Sequence, residues 1–254
     1  MNQIPPFRRQ RAYISQFTTT LLHLKNPWIV AFFSFSYPGF GHFLQHRYAS
    51  AFILILWESF INAKAHLNLG IFYSLLGDFE KAKEVLNQQW LFLYVAIYMF
   101  GIWDGYRTTV DLNKQFLLAE RENAPITNFK IGSWDMNYLD KRKPWVAIAW
   151  SALFPGLGQL YLHNVIAGFF MFIYTITICY FGNILGAMNL TMLGRFAEVK
   201  QSLNIQWLLY FPSIYFFIVY DAYVSSVENN KLFEIEMSKY LKQKYQDPDY
   251  EFPI

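Results

Sequence analysis

The chain resembles itself at a spacing of 117 residues, and this internal similarity constrains its fold more than any other feature. With that shift Pro27 falls on Pro144 (144 − 27 = 117). Residues 25–116 align with 142–233 without a gap, and more than a quarter of the positions are identical. Low complexity cannot place proline, tryptophan and aspartate in register. We therefore expect two tandem copies of one structural unit.

Each copy contains three apolar parts. In the first copy the opening part has 11 residues (37 − 27 + 1), from Pro27 to Tyr37, and runs into a Pro-Gly-x-Gly sequence. Proline lacks a backbone donor and glycine tolerates unusual dihedrals, so this sequence breaks a helix. A helix that crosses a bilayer needs about 20 residues, so the opening part is expected to dip into the membrane and turn back. The other two parts approach that length, at 48–65 and 90–103 in the first copy and 165–185 and 207–220 in the second.

The composition agrees with a membrane protein. The chain is 54% hydrophobic and 15% charged, whereas soluble domains average about 25% charged residues. A net charge of +3 is too small to indicate nucleic-acid binding. The lone cysteine, Cys179, cannot form an internal disulfide. We expect an all-α integral membrane protein in the lipid bilayer.

Basic residues predict the topology, because they favour the cytoplasmic side of a membrane. They flank the apolar parts of the two membrane repeats (25–116 and 142–233): in an N-terminal tail (1–24) and at Lys25, from Arg107 through a linker (117–141) to Lys143, and from Lys231 into a polar C-terminal tail (234–254). A membrane-surface helix is possible from Ile14 to Leu22. If all three segments are cytoplasmic, each repeat crosses an even number of times. This favours four spans in two parallel repeats, each a re-entrant half-helix plus two transmembrane helices, in a plasma membrane with both termini cytoplasmic. The alternative, six spans with inverted repeats, would place the linker outside.

Positions shared by the repeats are expected to hold the fold. They are Pro38, Gly39, Gly41, His46 and Asp104 in the first repeat, and Pro155, Gly156, Gly158, His163 and Asp221 in the second. The aspartates oppose the helix dipole, so each needs a partner, such as Arg47 or Arg107 for Asp104, or the N-terminus of a half-helix. We expect them to lock the last helix to the broken turn. The histidines are expected to form hydrogen bonds within that turn.

Two ionisable residues of the first repeat have no ionisable counterpart in the second repeat, and these two are candidates for function. Glu58 lies inside an apolar part, where an ionisable side chain is costly and suggests a role in substrate or partner contact. The alternatives are a glutamate that snorkels or is held neutral by a neighbouring helix. His42 lies four residues before His46, a spacing that can place two imidazoles on one helix face, but no third ligand is evident. We expect no metal, no cofactor and, without a catalytic motif, no enzyme activity.

The sequence from Pro155 to Tyr161, Pro-Gly-Leu-Gly-Gln-Leu-Tyr, followed by an apolar run that ends at Asp221, resembles two known patterns. One is the small family named for its two transmembrane helices, whose turn the sequence from Gly41 to Phe43 also echoes. The other is the N-terminal segment of some Gram-positive sugar ABC permeases. The resemblance implies a packing module, although this chain lacks a recognisable permease core.

We therefore expect a non-catalytic auxiliary or scaffolding subunit that docks onto another integral membrane complex, plausibly a solute (sugar) ABC transporter. The alternative is a small transporter or lipid-handling protein whose path runs between the repeats and is lined by Glu58. A membrane enzyme is the third possibility.

Overall fold

The computed structural model describes residues 8–245 of the chain. The first half consists of β1 (Ala12–Ile14), β2 (Thr19–Leu21), α1 (Pro27–Ser36), α2 (Phe40–Leu44), α3 (Tyr48–Ala65), α4 (Leu67–Leu75), α5 (Phe79–Val85) and α6 (Gln88–Glu122). The second half consists of β3 (Phe129–Ile131), β4 (Met136–Tyr138), α7 (Pro144–Leu153), α8 (Leu157–Tyr161), α9 (Val165–Phe181), α10 (Ile184–Met192), α11 (Phe196–Ser202), α12 (Ile205–Leu208) and α13 (Tyr210–Tyr245). Apart from two short antiparallel hairpins, the described fold is helical, as expected for an all-α protein.

The boundaries of the elements recur at the spacing seen in the sequence. Helices α1 and α7 begin 117 residues apart (144 − 27) and end 117 residues apart (153 − 36). Left-handed backbone recurs as well, at His46 (φ 58°) and His163 (φ 60°). The recurrence begins upstream of residue 25, since β1 and β3 also start 117 residues apart (129 − 12).

The predicted tails and linker are more ordered than the sequence suggested. The expected surface helix from Ile14 to Leu22 is wrong, because a β-hairpin occupies this segment and pairs Ile14 with Thr19. Its β-branched threonines favour strand, and burial alternates along each strand. The linker begins as the end of α6, and α13 runs on to Tyr245. The predictions for the N-terminal tail at residues 1–7 and for the C-terminal tail at residues 246–254 lie outside the described residues.

Helix α1 has clear start and stop signals. Asn26 caps it by accepting from the Trp28 amide at 2.9 Å, and Pro27 occupies the first turn, where its missing donor costs nothing. The last helical residue is Ser36. Tyr37, which follows it, has extended backbone (φ −159°), because Pro38 disfavours helical dihedrals in the residue before it.

Helices α12 and α13 together form one helical segment, Ile205–Tyr245, that is long and apolar enough to cross a membrane, with a mean hydropathy of 1.3 over an 18-residue window. Two pairs of helices are long and apolar enough only when the two helices of a pair are counted together. They are Phe79–Val85 with Gln88–Glu122, which meet at a bend of 90°, and Val165–Phe181 with Ile184–Met192, which meet at a bend of 63°. The described residues therefore contain one candidate span, or up to three if each bent pair counts as one. Length and composition alone do not reach the four spans expected.

The two halves pack against each other through aromatic side chains. The rings of Phe40 and Phe217 stack at 3.9 Å, and those of Phe52 and Phe170 also at 3.9 Å. We call the contacting surface of the first half face A; it includes Phe33, Tyr37, Phe40, Phe52, Ser59 and Asn68. The opposing surface of the second half is face B; it includes Phe170, Tyr174, Gln206, Tyr210, Phe217 and Tyr220.

The packing is one-sided. The equivalent positions of face A in the second half, reached by adding 117, are Trp150, Phe154, Leu157, Phe169, Ile176 and Leu185. The equivalent positions of face B in the first half, reached by subtracting 117, are Ile53, Trp57, Gln89, Leu93, Phe100 and Trp103. Most of these side chains are exposed; Phe169, for example, is 52% and Phe100 54% exposed. The halves are therefore joined head to tail, leaving one unpaired face of each kind.

Candidate functional site

Glu58 is buried on α3, close to where the two halves meet, and only 3% of the residue is exposed. The side-chain amide of Asn62, one turn later, donates to Glu58 Oε1 at 3.0 Å. The Tyr94 hydroxyl of α6 donates to the same oxygen at 3.4 Å. The second carboxyl oxygen, Oε2, has no hydrogen-bond partner among residues 8–245. Glu58 thus contacts neighbouring helices rather than snorkelling to a membrane surface.

Three amide side chains extend this network into the second half. Asn62 donates to Asn68 Oδ1 at 3.1 Å, and Asn68 donates to the backbone carbonyl of Gln206 at 2.9 Å. The Gln206 amide donates to Asn62 Oδ1 at 2.8 Å and accepts from the Leu69 amide at 3.0 Å. These side chains are buried, so losing one would leave its partners unsatisfied. The network therefore stabilises one particular alignment of the halves.

A neighbouring group of hydroxyls also joins the halves. The hydroxyl of Tyr174 on α9 is hydrogen-bonded to two side chains of the first half: Tyr37, directly after α1, and Ser59 on α3. The hydroxyl of Tyr210 donates to the Ser59 carbonyl at 3.3 Å. A buried tyrosine needs a partner for its hydroxyl, so these contacts fix the register between faces A and B.

Sequence reasoning found Glu58 but missed the amides around it. Asn62 lies four residues after Glu58, a spacing that brings two side chains together on one helix face, so this pair was within reach of sequence analysis. Asn68 and Gln206 lie 138 residues apart (206 − 68), and no sequence signal connects them. The counterpart of Glu58, Thr175, is also buried, so a carboxylate at this position belongs to the first half alone.

Asp104 on α6 is bound to the broken turn between α2 and α3. Arg47 donates to Asp104 Oδ2 at 2.7 Å, and His42 Nε2 lies 3.0 Å from the same oxygen. Of the two arginines predicted as partners of this aspartate, Arg47 and Arg107, the structure therefore shows Arg47. His42 is 1% exposed and contacts a carboxylate on the last helix of its own half.

Asp221, the counterpart of Asp104, has a different environment. Gln159, at the position equivalent to His42, donates to Asp221 Oδ2 at 2.8 Å and to the Ile218 carbonyl at 3.1 Å. Asn164 occupies the position of Arg47. Within the described residues Asp221 forms no salt bridge, so the second turn is held by an amide instead of a cation.

The Pro-Gly-x-Gly turns bring backbone segments very close together. Gly39 has a φ of +101° and Gly156 a φ of +104°, a region that favours glycine. A Cβ on Gly39 would lie 2.6 Å from the Ala51 carbonyl oxygen, and one on Gly41 would lie 2.1 Å from Ser34 Oγ. A Cβ on Gly158 would similarly lie 2.0 Å from Ser151 Oγ. Pro38 and Pro155 precede the first glycine of each turn.

The two histidines that follow these turns, His46 and His163, have different partners. His46 Nδ1 lies 3.0 Å from the Tyr48 hydroxyl, which fits a bond near the turn. His163 does not fit that expectation, because its Nε2 contacts the Gln16 carbonyl at 2.9 Å, in the loop between β1 and β2. The physical reason is that the N-terminal hairpin lies against the second half, a placement that the sequence did not reveal.

A second polar site, which sequence reasoning missed, lies beside the first hairpin. Lys25 contacts Glu228 Oε1 at 2.5 Å, and His23 lies 3.4 Å from the same oxygen. His46 approaches the other oxygen of Glu228 at 3.7 Å. His23, Lys25 and Glu228 border a cavity of about 220 Å³ whose remaining walls are largely apolar, including Leu44 and other side chains of both halves. The cluster joins the first half to α13 at the end of the molecule that carries the hairpins.

The chemistry available at Glu58 is limited. The site holds one carboxyl with a free oxygen, surrounded by amides and phenols whose hydrogen bonds are largely made within the protein. Among residues 8–245, no group of three or more His, Cys, Asp or Glu side chains could hold a metal ion.

Comparisons with known proteins add no family assignment. No protein-family model matches the chain. Neither a curated protein nor a solved structure shows significant similarity to it.

Proposed function

We propose that the chain is an integral membrane protein of two parallel tandem repeats that serves as a non-catalytic docking subunit. Support for the repeat comes from element boundaries that recur 117 residues apart (144 − 27), from the hairpins to the final long helices. Support for a membrane location comes from the candidate span Ile205–Tyr245 and from the large number of exposed apolar side chains.

The path of α1 supports a re-entrant half-helix. Near its start, the Lys25 amide donates to Asn113 Oδ1 at 3.0 Å, and near its end the Phe35 carbonyl accepts from the Tyr98 hydroxyl at 2.6 Å. Between these contacts α1 runs beside only part of α6, and then the chain turns back at Pro38. Backbone that breaks at membrane depth must be buried in protein, and the turn is buried.

The proposed orientation places the hairpin end of the molecule in the cytoplasm. Lys25 and Arg142 lie at that end at equivalent positions (142 − 25 = 117), as the preference of basic residues for the cytoplasm predicts. Arg9 contacts Glu122 near the end of α6, and Glu234 of α13 contacts Lys141 of the linker, so the two described ends of the chain run toward the same side. An even number of crossings per half follows, and six spans with inverted halves would separate these residues.

The observation that carries the docking role is the one-sided packing of the halves. Phe100 and Trp103 of the unpaired face B are each 54% exposed, although their counterparts Phe217 and Tyr220 pack against the other half. Lipid also covers exposed apolar side chains in a membrane protein, so the docking role is inferred from the contrast between these side chains and their counterparts, which are packed against protein. The partner is another integral membrane protein. A solute (sugar) ABC transporter is the partner that the sequence resemblance suggests.

A carrier is the second candidate, favoured by the unpartnered oxygen of Glu58. A carboxyl inside a membrane protein can take up a proton during transport. The docking role is preferred because Glu58 is only 3% exposed and the amides beside it are engaged in joining the halves.

Co-purification from native membranes in a mild detergent tests the docking role. The tagged chain should retain a membrane protein partner. Trp103→Ala should lose it, because Trp103 lies on the unpaired face B. Trp145→Ala is the matched control, because Trp145 and its counterpart Trp28 are 77% and 71% exposed and lie outside the contact between halves. Equal retention by both variants would contradict the proposal.

Proton flux tests the carrier. Proteoliposomes of the purified chain would enclose a pH-sensitive dye, with Glu58→Gln as the variant. Flux that the wild type supports and the variant abolishes would favour the carrier over the docking subunit.

A further inference from the structure

We propose that the unpaired faces of the chain bind a second copy of itself, with face A of the second half of one copy seated on face B of the first half of the next. This inference rests on the proposed docking function, because both require these faces to contact protein rather than lipid alone. It goes further by assigning the meeting faces to a second copy, so that the membrane partner binds the face B that stays free at the end of a row of copies.

The contact inside the chain provides the template. Face A of the first half and face B of the second half are different surfaces, so the contact is heterologous. A heterologous contact between equivalent units uses one of two faces on each unit and leaves the other free. With two units, the chain therefore ends in one free face A and one free face B, which are the equivalents of a pair that already fits together.

The residues at the free positions preserve the apolar character of that pair. Inside the chain Phe52 stacks on Phe170 with ring centroids 3.9 Å apart. The corresponding residues of two neighbouring copies are Phe169 (52 + 117) and Ile53 (170 − 117), which are 52% and 68% exposed. An aromatic ring can pack on an isoleucine as it does on a phenylalanine.

The same correspondence holds at the other edge of the faces. Inside the chain Phe33 packs on Tyr220, with ring centroids 4.7 Å apart. Between copies the equivalent pair is Trp150 (33 + 117) and Trp103 (220 − 117), which are 46% and 54% exposed. Two tryptophans at these positions provide a larger aromatic contact than the pair they replace.

The polar network is the one part that does not recur. Gln206 binds Asn62 and Asn68 inside the chain, whereas its counterpart Gln89 would meet the apolar Leu185 (68 + 117), and the counterpart of Asn62, Cys179 (62 + 117), is buried inside its own copy. The contact between copies therefore lacks the amide hydrogen bonds, and we expect it to be weaker and reversible.

Cysteine cross-linking in native membranes tests the proposal. All variants carry Cys179→Ala, which removes the lone cysteine. The test variant is Ile53→Cys with Phe169→Cys, treated with a short bifunctional thiol reagent. Phe52→Cys with Phe170→Cys is the positive control, which should cross-link within one chain. Trp28→Cys with Trp145→Cys is the negative control; both positions are exposed (71% and 77%) and equivalent to each other (145 − 28 = 117), and lie outside the contact.

The test variant should form covalent dimers and larger species, because each copy offers one face of each kind. Mixing the two single variants, Ile53→Cys and Phe169→Cys, should give dimers only. A test variant that stays monomeric while the positive control reacts would overturn the proposal. If Trp103→Ala still loses a membrane partner in that case, the docking function stands and only the second copy is wrong. If Trp103 also has no effect, both fail.

Discussion

Gln206 offers the sharpest test of how the halves are held together. Its side-chain amide donates to the Asn62 carbonyl at 3.2 Å and to Asn62 Oδ1 at 2.8 Å, and its side-chain oxygen accepts from the Leu69 amide at 3.0 Å. The variant Gln206→Leu removes all three hydrogen bonds with little change in volume. The matched control is Gln89→Leu, because Gln89 is the same residue at the equivalent position (206 − 117 = 89) and is exposed.

The expected loss follows from these contacts. A side-chain hydrogen bond between helices in a membrane protein contributes about 0.6 kcal/mol, so the two bonds to Asn62 contribute about 1 kcal/mol. Leucine also leaves the part-buried Leu69 N–H without a partner, and an unsatisfied group costs about 1–3 kcal/mol. We therefore expect Gln206→Leu to lower the free energy of unfolding by about 2–4 kcal/mol, and Gln89→Leu to change it by less than about 0.5 kcal/mol.

The measurement is reversible unfolding of the purified protein in mild detergent, with increasing sodium dodecyl sulphate followed by tryptophan fluorescence. Trp207 lies beside Gln206 and is packed against Phe181, so its emission reports on this contact. If Gln89→Leu and Gln206→Leu shift the transition equally, the amide network does not hold the halves together and the reasoning is refuted.

Two further perturbations test other parts of the structure. Gly41→Ala places a Cβ 2.1 Å from Ser34 Oγ and should lower the thermal unfolding midpoint by several degrees. The control is Gly101→Ala, whose Cβ would meet nothing within 4 Å and which should leave the midpoint unchanged or raise it. A larger loss in Gly101→Ala than in Gly41→Ala would contradict the close approach of α1 and α2. Lys25→Met should cost about 3–5 kcal/mol, because it leaves the 4% exposed Glu228 without its cation. The double variant with Glu228→Gln should recover much of that loss in the same sodium dodecyl sulphate titration, and a double variant as unstable as Lys25→Met would show that the pair contributes through packing alone.

Much of the local structure could be predicted from the sequence. The broken turns follow from proline and glycine, since a missing donor and left-handed backbone at Gly39 end a helix in any context. The prediction that Asp104 opposes the helix dipole is wrong, because α6 continues to Glu122 and places this aspartate in the middle of the helix; its need for a partner follows instead from its side chain being only 15% exposed. The two hairpins were missed, since strands of three residues carry too short a period to separate them from a helix.

The sequence by itself determined that the chain is helical and that its pattern recurs every 117 residues (144 − 27). Only the tertiary structure decided which copy of each residue is buried. Gln206 lies at the centre of a hydrogen-bond network, whereas the identical residue Gln89 is exposed. The physical reason is that the halves meet through different faces, so equivalent positions have different neighbours. Sequence similarity between repeats records the shared fold of each unit, and the environment of each residue depends on how the units are joined.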